Sequence, residues 1–286
     1  MYYKITKLED GVYRLYSLEG VHSDLFVGSC GALLWDTGYG LGNLKEMIRK
    51  ITYKPLTILN SHAHLDHASG NYQFDEEIGL NSKDWELYKK ISAPEMRRGA
   101  VEAARHTPDF QSGKGFLNIL PKDFDEKRYI YGRNDRLFPV KEGDTFDLGG
   151  IHLTVVETPG HTKGSISLIY EEKQRLYAGD AMNMFMLLFK EESTTLSQYI
   201  KTLNKAKGLG LKELMISHYA PGLCIDVLDK FLECAKNLDY SQGIPFTASI
   251  GQGYDARICC EEKPFAPYSS DPQKPLIVIS KEKIDI

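Results

Sequence analysis

The sequence feature that most constrains this chain is the segment His62-Ala63-His64-Leu65-Asp66-His67. It is entered from the apolar run Leu56-Thr57-Ile58-Leu59 through the polar pair Asn60-Ser61. Three imidazoles and a carboxylate just past a buried strand would be costly to bury without partners, whereas they suit a metal site. An extended backbone places His62 and His64 on one side, while Asp66 and His67 can turn toward a second position. The segment therefore predicts a loop that feeds two metal ions, rather than a polar surface loop.

The composition is that of a globular protein without a dominant basic field. The 286 residues are 42% hydrophobic and 26% charged, and the net charge is -4, which disfavours nucleic acid as a partner. The first residues lack the apolar core of a signal peptide, and no run approaches the roughly 18 apolar residues of a membrane span. We therefore expect a cytosolic protein with no membrane partner. Five cysteines without a CxxC spacing predict reduced thiols rather than disulfides or a zinc ribbon.

Short apolar runs between turn residues predict two groups of strands, and helical spacing of apolar residues predicts amphipathic helices. The predicted strands are 12–16, 25–27, 32–35, 56–59, 151–156, 165–170, 175–178, 214–217, 256–260 and 276–280. The predicted helices are 41–51, 94–106, one from 196 that Gly208 terminates, and 227–238. No repeat, low-complexity stretch or linker marks a boundary, so we expect one domain over residues 1–286.

Residues 85–136 depart from this pattern and are interpreted as a partly helical excursion, or lid. Lys89 to Arg136 contain eleven Lys and Arg and seven Asp and Glu, so this stretch carries +4 and the remainder of the chain -8. Such a lid would suit an anionic substrate, although a run of charges is more often a solvated face. Within it, we expect His106 to belong to a helix, and Tyr129 and Tyr131 to be packing residues.

Single polar residues follow several of the later predicted strands. His161 lies in Thr158-Pro159-Gly160-His161-Thr162, Asp180 follows Gly179, and His218 follows Ser217. Each of these positions alone is more often an ordinary turn or a satisfied polar residue than a ligand. Strand ends on one edge of a sheet can converge on one cleft, however, so the ordered set is a candidate constellation. His152, inside a predicted strand, is expected to be a surface or satisfied polar residue.

The ordered set of motifs resembles the metallo-β-lactamase superfamily, and within it the hydroxyacylglutathione hydrolase (glyoxalase II) branch. The resemblance is carried by HAHLDH, TPGHT, Gly179-Asp180 and Ser217-His218, with Asp36-Thr37-Gly38 matching an early strand-end signature. It covers about residues 32–218 and leaves the excursion and the C-terminal segment unmatched.

The resemblance implies an α/β fold, a four-layer αββα metallo-β-lactamase sandwich, with a site for two divalent metal ions. By position, the ligands are His62, His64 and His161 for the first ion, Asp66, His67 and His218 for the second, and Asp180 as the bridge. Imidazole and carboxylate ligands without thiolate suit zinc, and also iron or manganese. Since a metal lowers the pKa of its bound water toward roughly 7, the implied nucleophile is a metal-bound hydroxide, which catalytic Asp66 would orient.

These expectations lead to a dinuclear metal-dependent hydrolase acting on a small thioester, ester or lactone. A phosphodiesterase or nuclease of the same superfamily is the alternative, favoured only by the basic excursion, and a noncatalytic metal-binding module is a third hypothesis. Asp180 argues against a zinc β-lactamase, and the filled second-site positions argue against a one-iron sulfur dioxygenase. Asn183 stands where the lactonase branch tends to place a tyrosine. His22 and Asn183 are the candidate substrate contacts.

Overall fold

The computed structural model describes residues 2–108, 115–248, 250, 253–259 and 271–285. The chain divides into two compact units. The first comprises Met1–Val140 and Thr145–His152, and the second comprises Lys141–Asp144 and Leu153–Ile286. The expectation of one domain over 1–286 stays a prediction.

The first unit combines a large mixed sheet with helices. Its strands are β1 (Tyr3–Glu9), β2 (Val12–Ser17), β3 (His22–Val27), β4 (Ala32–Trp35), β5 (Leu56–Leu59), β6 (Ile78–Leu80), β7 (Thr107–Pro108), β8 (Phe116–Leu117), β9 (Leu137–Pro139) and β10 (Thr145–Asp147). Its helices are α1 (Leu44–Ile51), α2 (Leu65–Ala68), α3 (Trp85–Ile91), α4 (Pro94–Arg105) and α5 (Glu126–Tyr131). The large sheet has the order β1-β2-β3-β4-β5-β6-β9. Strands β1 to β4 pair antiparallel, whereas β4, β5, β6 and β9 run parallel.

The main core of the first unit lies between this sheet and α1. Leu44 and Ile48, four residues apart on α1, are fully buried in one cluster with sheet residues that include Leu34 and Ile58. Each such side chain contributes about 1.5–3 kcal/mol by leaving water. The Asn43 side chain caps the first turn of the helix, so α1 begins where the apolar stripe begins.

The described part of the second unit combines sheets with two long helices. Its strands are β11 (His152–Glu157), β12 (Ile166–Tyr170), β13 (Arg175–Tyr177), β14 (Phe185–Leu188), β15 (Glu213–Met215), β16 (Leu223–Cys224), β17 (Ile244–Pro245), β18 (Ala256–Cys259) and β19 (Leu276–Ser280). The helices are α6 (Leu196–Gly208) and α7 (Val227–Lys236). One sheet contains the run β11-β12-β13-β15-β16, and another has the order β14-β19-β18-β17. Leu203 of α6 and Phe231 of α7 share a buried cluster with Leu214 and Ile277.

Most predicted elements are confirmed, with ends that differ by a few residues. The strand predicted over 256–260 ends at Cys259, and Cys260 lies outside the described residues. The sequence pattern misses β1 because its side chains are mostly exposed, so they form no apolar stripe. It also misses β14, although Phe185 to Leu188 is an apolar run of strand length.

The excursion at 85–136 is partly helical, as predicted, through α3, α4 and α5. Tyr129 is fully buried, as expected. His106, expected within the helix, is instead the C-cap that follows the last helical residue, Arg105. The expected packing role of Tyr131 is wrong, since its side chain is 58% exposed. It stays at the surface because the Arg98 guanidinium lies 5.6 Å from its ring and donates to its hydroxyl.

Among the described residues, no helix is both long and apolar enough to cross a membrane. Cys30, Cys224, Cys234 and Cys259 are free thiols, in agreement with the expectation of reduced cysteines. Cys260 again lies outside the described residues.

Candidate metal centre

The segment 62–67 begins at the carboxyl end of β5, in the parallel part of the large sheet. Strands β4 and β5 are in register so that Trp35 lies opposite Leu59. The residues after these strand ends are therefore neighbours, and the Asp36 amide donates to the Leu59 carbonyl over 2.8 Å. This pairing brings the Asp36 side chain, which is 26 positions before His62 in the chain, against the start of the segment 62–67.

Asp36 organises one side of the loop. Its Oδ1 accepts from the Ser61 amide over 2.7 Å, and its Oδ2 accepts from the Ser61 hydroxyl over 2.8 Å. The same Oδ2 lies 2.8 Å from His67 Nδ1, and both side chains are fully buried. A carboxylate can only accept, so His67 Nδ1 carries the proton and Nε2 carries the lone pair that is available to a metal ion. Asp36 holds this position with φ +63, a conformation that few non-glycine residues adopt.

Ser61 orients His62 in the same way. Its hydroxyl proton is donated to Asp36, so it can only accept from His62 Nδ1, which lies 3.0 Å from it. The lone pair of His62 is then on Nε2, and this atom lies 3.1 Å from His64 Nδ1. Two nitrogens bound about 2.1 Å from one tetrahedral zinc would be about 3.4 Å apart. His62 and His64 therefore have the spacing of two ligands of one ion.

Asp66 and His67 lie on α2 and form the other half of the segment. Asp66 Oδ2 lies 3.6 Å from His67 Nε2, which again fits two ligand atoms that share an ion. The His67 carbonyl is held by the Thr37 amide over 2.8 Å and by Asn60 Nδ2 over 3.1 Å. Asp84 supports the opposite end of the loop by accepting from the Ala63 amide over 3.2 Å.

Gly70→Ala is expected to disrupt this loop, because a Cβ on Gly70 would lie 2.1 Å from the Thr37 carbonyl oxygen. Backbone must move to relieve that contact, so we expect a loss of about 1–3 kcal/mol in the free energy of unfolding, together with weaker metal binding. Urea unfolding and a zinc titration measure the two effects. The control is Gly99→Ala in α4, where a Cβ meets nothing within 4 Å and should stabilise the helix slightly. Wild-type stability of Gly70→Ala would contradict the expectation.

In the second unit, His161, Asp180 and His218 form their own cluster. Asp180 follows β13 and His218 follows β15, and these two strands are parallel neighbours. Their carboxyl ends meet at one edge of the sheet, and the Ser217 amide donates to the Gly179 carbonyl over 3.2 Å. Gly179 has φ +55, which glycine adopts without strain.

Asp180 lies beside both imidazoles of this cluster. Its Oδ2 is 3.3 Å from His218 Nε2 and 3.8 Å from His161 Nε2. His161 Nδ1 lies 3.1 Å from the Leu187 carbonyl of β14, so this nitrogen donates and Nε2 carries the lone pair. The nitrogen and oxygen donors suit a divalent metal, and their spacing fits shared coordination.

The structure thus groups the predicted ligands separately in the two units. The first unit contains His62, His64, Asp66 and His67, and the second contains His161, Asp180 and His218. The groups that hydrogen-bond to these ligands and to their loop are harder to recognise in the sequence. Asp36 is visible only as part of a strand-end signature, and nothing local in the sequence points to Asp84 or to the Leu187 carbonyl. These contacts join residues 21 to 31 positions apart, and no periodic pattern reports them.

The remaining predicted residues, His22, Asn183 and His152, are not among the candidate ligands. His22 is 3% exposed on β3, with its ring centroid 4.6 Å from that of Tyr16. Asn183 accepts from the Phe185 amide over 3.3 Å, as a turn residue does. Their substrate contacts stay predictions. His152 is an exposed residue 3.5 Å from Asp147, as expected.

Comparison with known proteins decides the family. The model of the metallo-beta-lactamase superfamily matches residues 19–218, well over half of the chain, and this span contains all seven candidate ligands. The chain belongs to the metallo-beta-lactamase superfamily. The resemblance stated from the motifs is therefore confirmed, and with it the predicted α/β metallo-β-lactamase fold.

Named relatives of this superfamily member are hydrolases. The acyl-coenzyme A thioesterase MBLAC2 of Homo sapiens is 23% identical over 222 residues, covering 71% of this chain and 75% of the relative. Hydroxyacylglutathione hydrolase GloC of Haemophilus influenzae is 24% identical over 156 residues, covering 53% of this chain and 61% of that protein. A metallo-beta-lactamase structure from Pontibacter korlensis has a TM-score of 0.56 at 17% identity, covering 82% of this chain and 99% of that one, and supports the fold. The predicted enzyme class, a metal-binding hydrolase, is confirmed at this level.

Proposed function

We propose that this superfamily hydrolase is a dinuclear enzyme that cleaves a small thioester, ester or lactone. The observation that carries the proposal is the position of Asp180 Oδ2, 3.3 Å from His218 Nε2 and 3.8 Å from His161 Nε2. A carboxylate oxygen beside two imidazoles that we assign to different ions supports a bridging role for Asp180.

The seven side chains sort into two ligand sets. By the family's motif positions, the first would be His62, His64 and His161, and the second would be Asp66, His67, Asp180 and His218. We assign one divalent ion to each set, with Asp180 as the bridge. Zinc is the favoured metal because the donors are imidazole and carboxylate, although iron and manganese accept the same donors.

Each residue of the site has a role in this proposal. When bound, the metal ions would bring the pKa of a water near 7 and polarise the oxygen of the scissile group. Asp66, on the first turn of α2, orients the attacking water as well as binding metal. Asp36 and the Leu187 carbonyl fix the tautomers of His67 and His161, so that each presents Nε2.

The relatives support the substrate class. One is named for action on acyl-coenzyme A and the other for action on hydroxyacylglutathione. In both names an acyl group is removed from a larger carrier. Transfer of that chemistry to this chain is part of the proposal, since the identities are 23% and 24%.

The phosphodiesterase alternative gains little from the structure. Its only support is the basic excursion, and five basic residues there form ion pairs with nearby carboxylates. These pairs are Lys89–Glu86, Arg98–Glu95, Arg105–Glu102, Arg133–Asp135 and Arg136–Glu77. Charges neutralised in this way form a solvated face rather than a phosphate-binding track.

Chelation provides the direct test. Removal of metal by dialysis against a chelator is expected to abolish hydrolysis of thioesters, and addition of zinc to restore it. Elemental analysis before and after dialysis checks that two equivalents of metal leave and return. A fully loaded protein that cleaves no member of a panel of thioesters, esters and lactones would overturn the proposal. Cleavage of bis(p-nitrophenyl) phosphate alone would favour the phosphodiesterase instead.

A further inference from the structure

The described C-terminal residues of the second unit lie outside the span that the family model matches. That span is residues 19–218, and it contains all seven candidate ligands. Strand β19 and a short 3₁₀ turn, Lys281–Lys283, follow it in the chain. We call residues 276–283 the C-terminal strap. The proposed mechanism does not use this strap, but its contacts lead to the candidate ligand His161.

The strap reaches His161 first through its strand. All five residues of β19 are buried, and β19 pairs in parallel with β14 so that Val278 lies opposite Leu187. The Leu187 carbonyl in turn lies 3.1 Å from His161 Nδ1, from which it accepts a hydrogen bond. β19 therefore fixes the strand that determines which nitrogen His161 presents.

The loop that joins β14 to α6, residues 189–195, also holds His161. Ser193 is 2% exposed, and its hydroxyl donates to the His161 carbonyl over 2.9 Å. The Thr194 amide donates to the Gly160 carbonyl, next to His161, over 2.9 Å. Two consecutive loop residues thus hold two consecutive carbonyls of the ligand segment. A shift of the loop would therefore move the His161 backbone and its imidazole.

Lys283 ends the strap and holds this loop in place. Its Nζ donates to the Ser193 carbonyl over 2.8 Å and lies 3.4 Å from the Glu191 carbonyl. Hydrogen bonds from a charged ammonium are stronger than those between neutral groups. Ser193 accepts from Lys283 through its carbonyl and donates to His161 through its hydroxyl. This one residue therefore connects the strap to the ligand.

Asp285 lies two residues further along the chain and holds a different part of the unit. Its carboxylate accepts from the Ser197 amide over 3.0 Å and from the Ser197 hydroxyl over 2.6 Å. Ser197 belongs to the first turn of α6, so this contact caps the helix rather than the 189–195 loop. The contact of Lys283 leads to His161, whereas the contact of Asp285 leads to α6.

We infer that Lys283 is a positioning residue for the proposed metal centre. It acts through the 189–195 loop, and it keeps His161 Nε2 toward Asp180, whose Oδ2 lies 3.8 Å from it. The physical reason is that a ligand on a loop is held precisely only when the loop itself is fixed. The inference rests on the proposed two-metal hydrolase, and it gives a role in that centre to a residue outside the matched span.

Lys283→Met tests this role because it keeps the long apolar stem and removes the ammonium. We expect the affinity for the ion assigned to His161 to fall by about three- to tenfold, less than the roughly 10–100-fold typical of groups that contact a ligand side chain. The affinity for the other ion should stay at the wild-type value. Lys283→Arg keeps a charged donor and should recover most of the lost affinity. Competition of the metal-free protein with a zinc chelator measures both affinities.

A second measurement requires neither metal nor substrate. Amide hydrogen exchange of the metal-free protein, followed by mass spectrometry, should be about threefold or more faster in the 189–195 peptides of Lys283→Met. Lys281→Met is the matched control, since Lys281 is an exposed lysine of the same turn, and it should change neither exchange nor affinity. Asp285→Ala should lower the urea midpoint through loss of the helix cap while the zinc affinities stay at wild type. This variant separates positioning from general stability.

Three results would overturn the inference while leaving the hydrolase proposal intact. The first is wild-type zinc affinity and wild-type exchange in Lys283→Met. The second is a loss of affinity that is equal for both ions, or that Asp285→Ala repeats. The third is a loss that Lys283→Arg does not reduce. A wild-type protein that binds two ions but cleaves no thioester, ester or lactone would overturn the proposed reaction and leave the role of Lys283 standing, whereas a wild-type protein that binds no zinc would overturn both.

Discussion

Asp180→Ala is expected to lower the metal content of the purified protein from about two equivalents to fewer than about one, and to reduce hydrolysis by about a hundredfold or more. Asp180 Oδ2 is the oxygen that lies beside both His161 and His218, so its removal takes a ligand from both proposed ions. It also leaves the two proposed metals without a negative ligand between them. Elemental analysis after gel filtration, together with a zinc titration of the metal-free protein, measures the stoichiometry and both affinities.

Single-site variants separate a bridge from an ordinary ligand. His218→Ala should mainly lower the affinity for the ion assigned to Asp66 and His67. His62→Ala should mainly lower the affinity for the other ion. Asp229→Ala serves as a control because this exposed carboxylate of α7 pairs with Lys207 and is not a candidate ligand, so two ions should stay bound. Unchanged metal content in Asp180→Ala would contradict the bridging assignment. So would a defect confined to one ion.

Asp36→Asn is expected to weaken metal binding by about 10–100-fold although Asp36 is not itself a ligand. The carboxylate accepts from His67 Nδ1, the Ser61 amide and the Ser61 hydroxyl within 2.8 Å. An amide of the same size offers one acceptor oxygen, so one of these contacts is lost and the His67 tautomer is no longer fixed. Asparagine tolerates the positive φ of this position, so the substitution changes the charge without adding backbone strain.

Competition with a zinc chelator measures this effect, and circular dichroism confirms that the variant is folded. Ser61→Ala is a graded comparison, because it removes the hydroxyl between Asp36 and His62 but keeps the Asp36–His67 contact. We expect a smaller loss of affinity for Ser61→Ala, and one confined to the ion that His62 binds. If Asp36→Asn bound zinc as tightly as wild type, the orienting role of Asp36 would be wrong.

Much of the fold can be predicted from local patterns of apolar residues in the sequence. The stripe of Leu196, Tyr199 and Leu203 indicates α6, and the run Leu276 to Ser280 indicates β19, because burial of one face requires those spacings. The 62–67 segment is similarly direct, since three imidazoles after a buried strand have few uses other than metal binding. Local spacing does not predict β1, whose side chains are mostly exposed, or β6, which has only three residues.

The sequence by itself determined which residues are the candidate metal ligands, because their types and order in the chain are chemical facts that require no coordinates. It also determined the family, since the ordered motifs are specific in combination. Tertiary structure decided which nitrogen each histidine presents, because Asp36, Ser61 and the Leu187 carbonyl reach His67, His62 and His161 only through strand pairing and loop contacts. It also decided that the Asp84 carboxylate holds the Ala63 amide at the start of the 62–67 segment, since these two residues lie 21 positions apart in the chain. The physical reason is the same in both cases: hydrogen bonding and desolvation depend on neighbours distant in the chain, and local sequence carries no record of them.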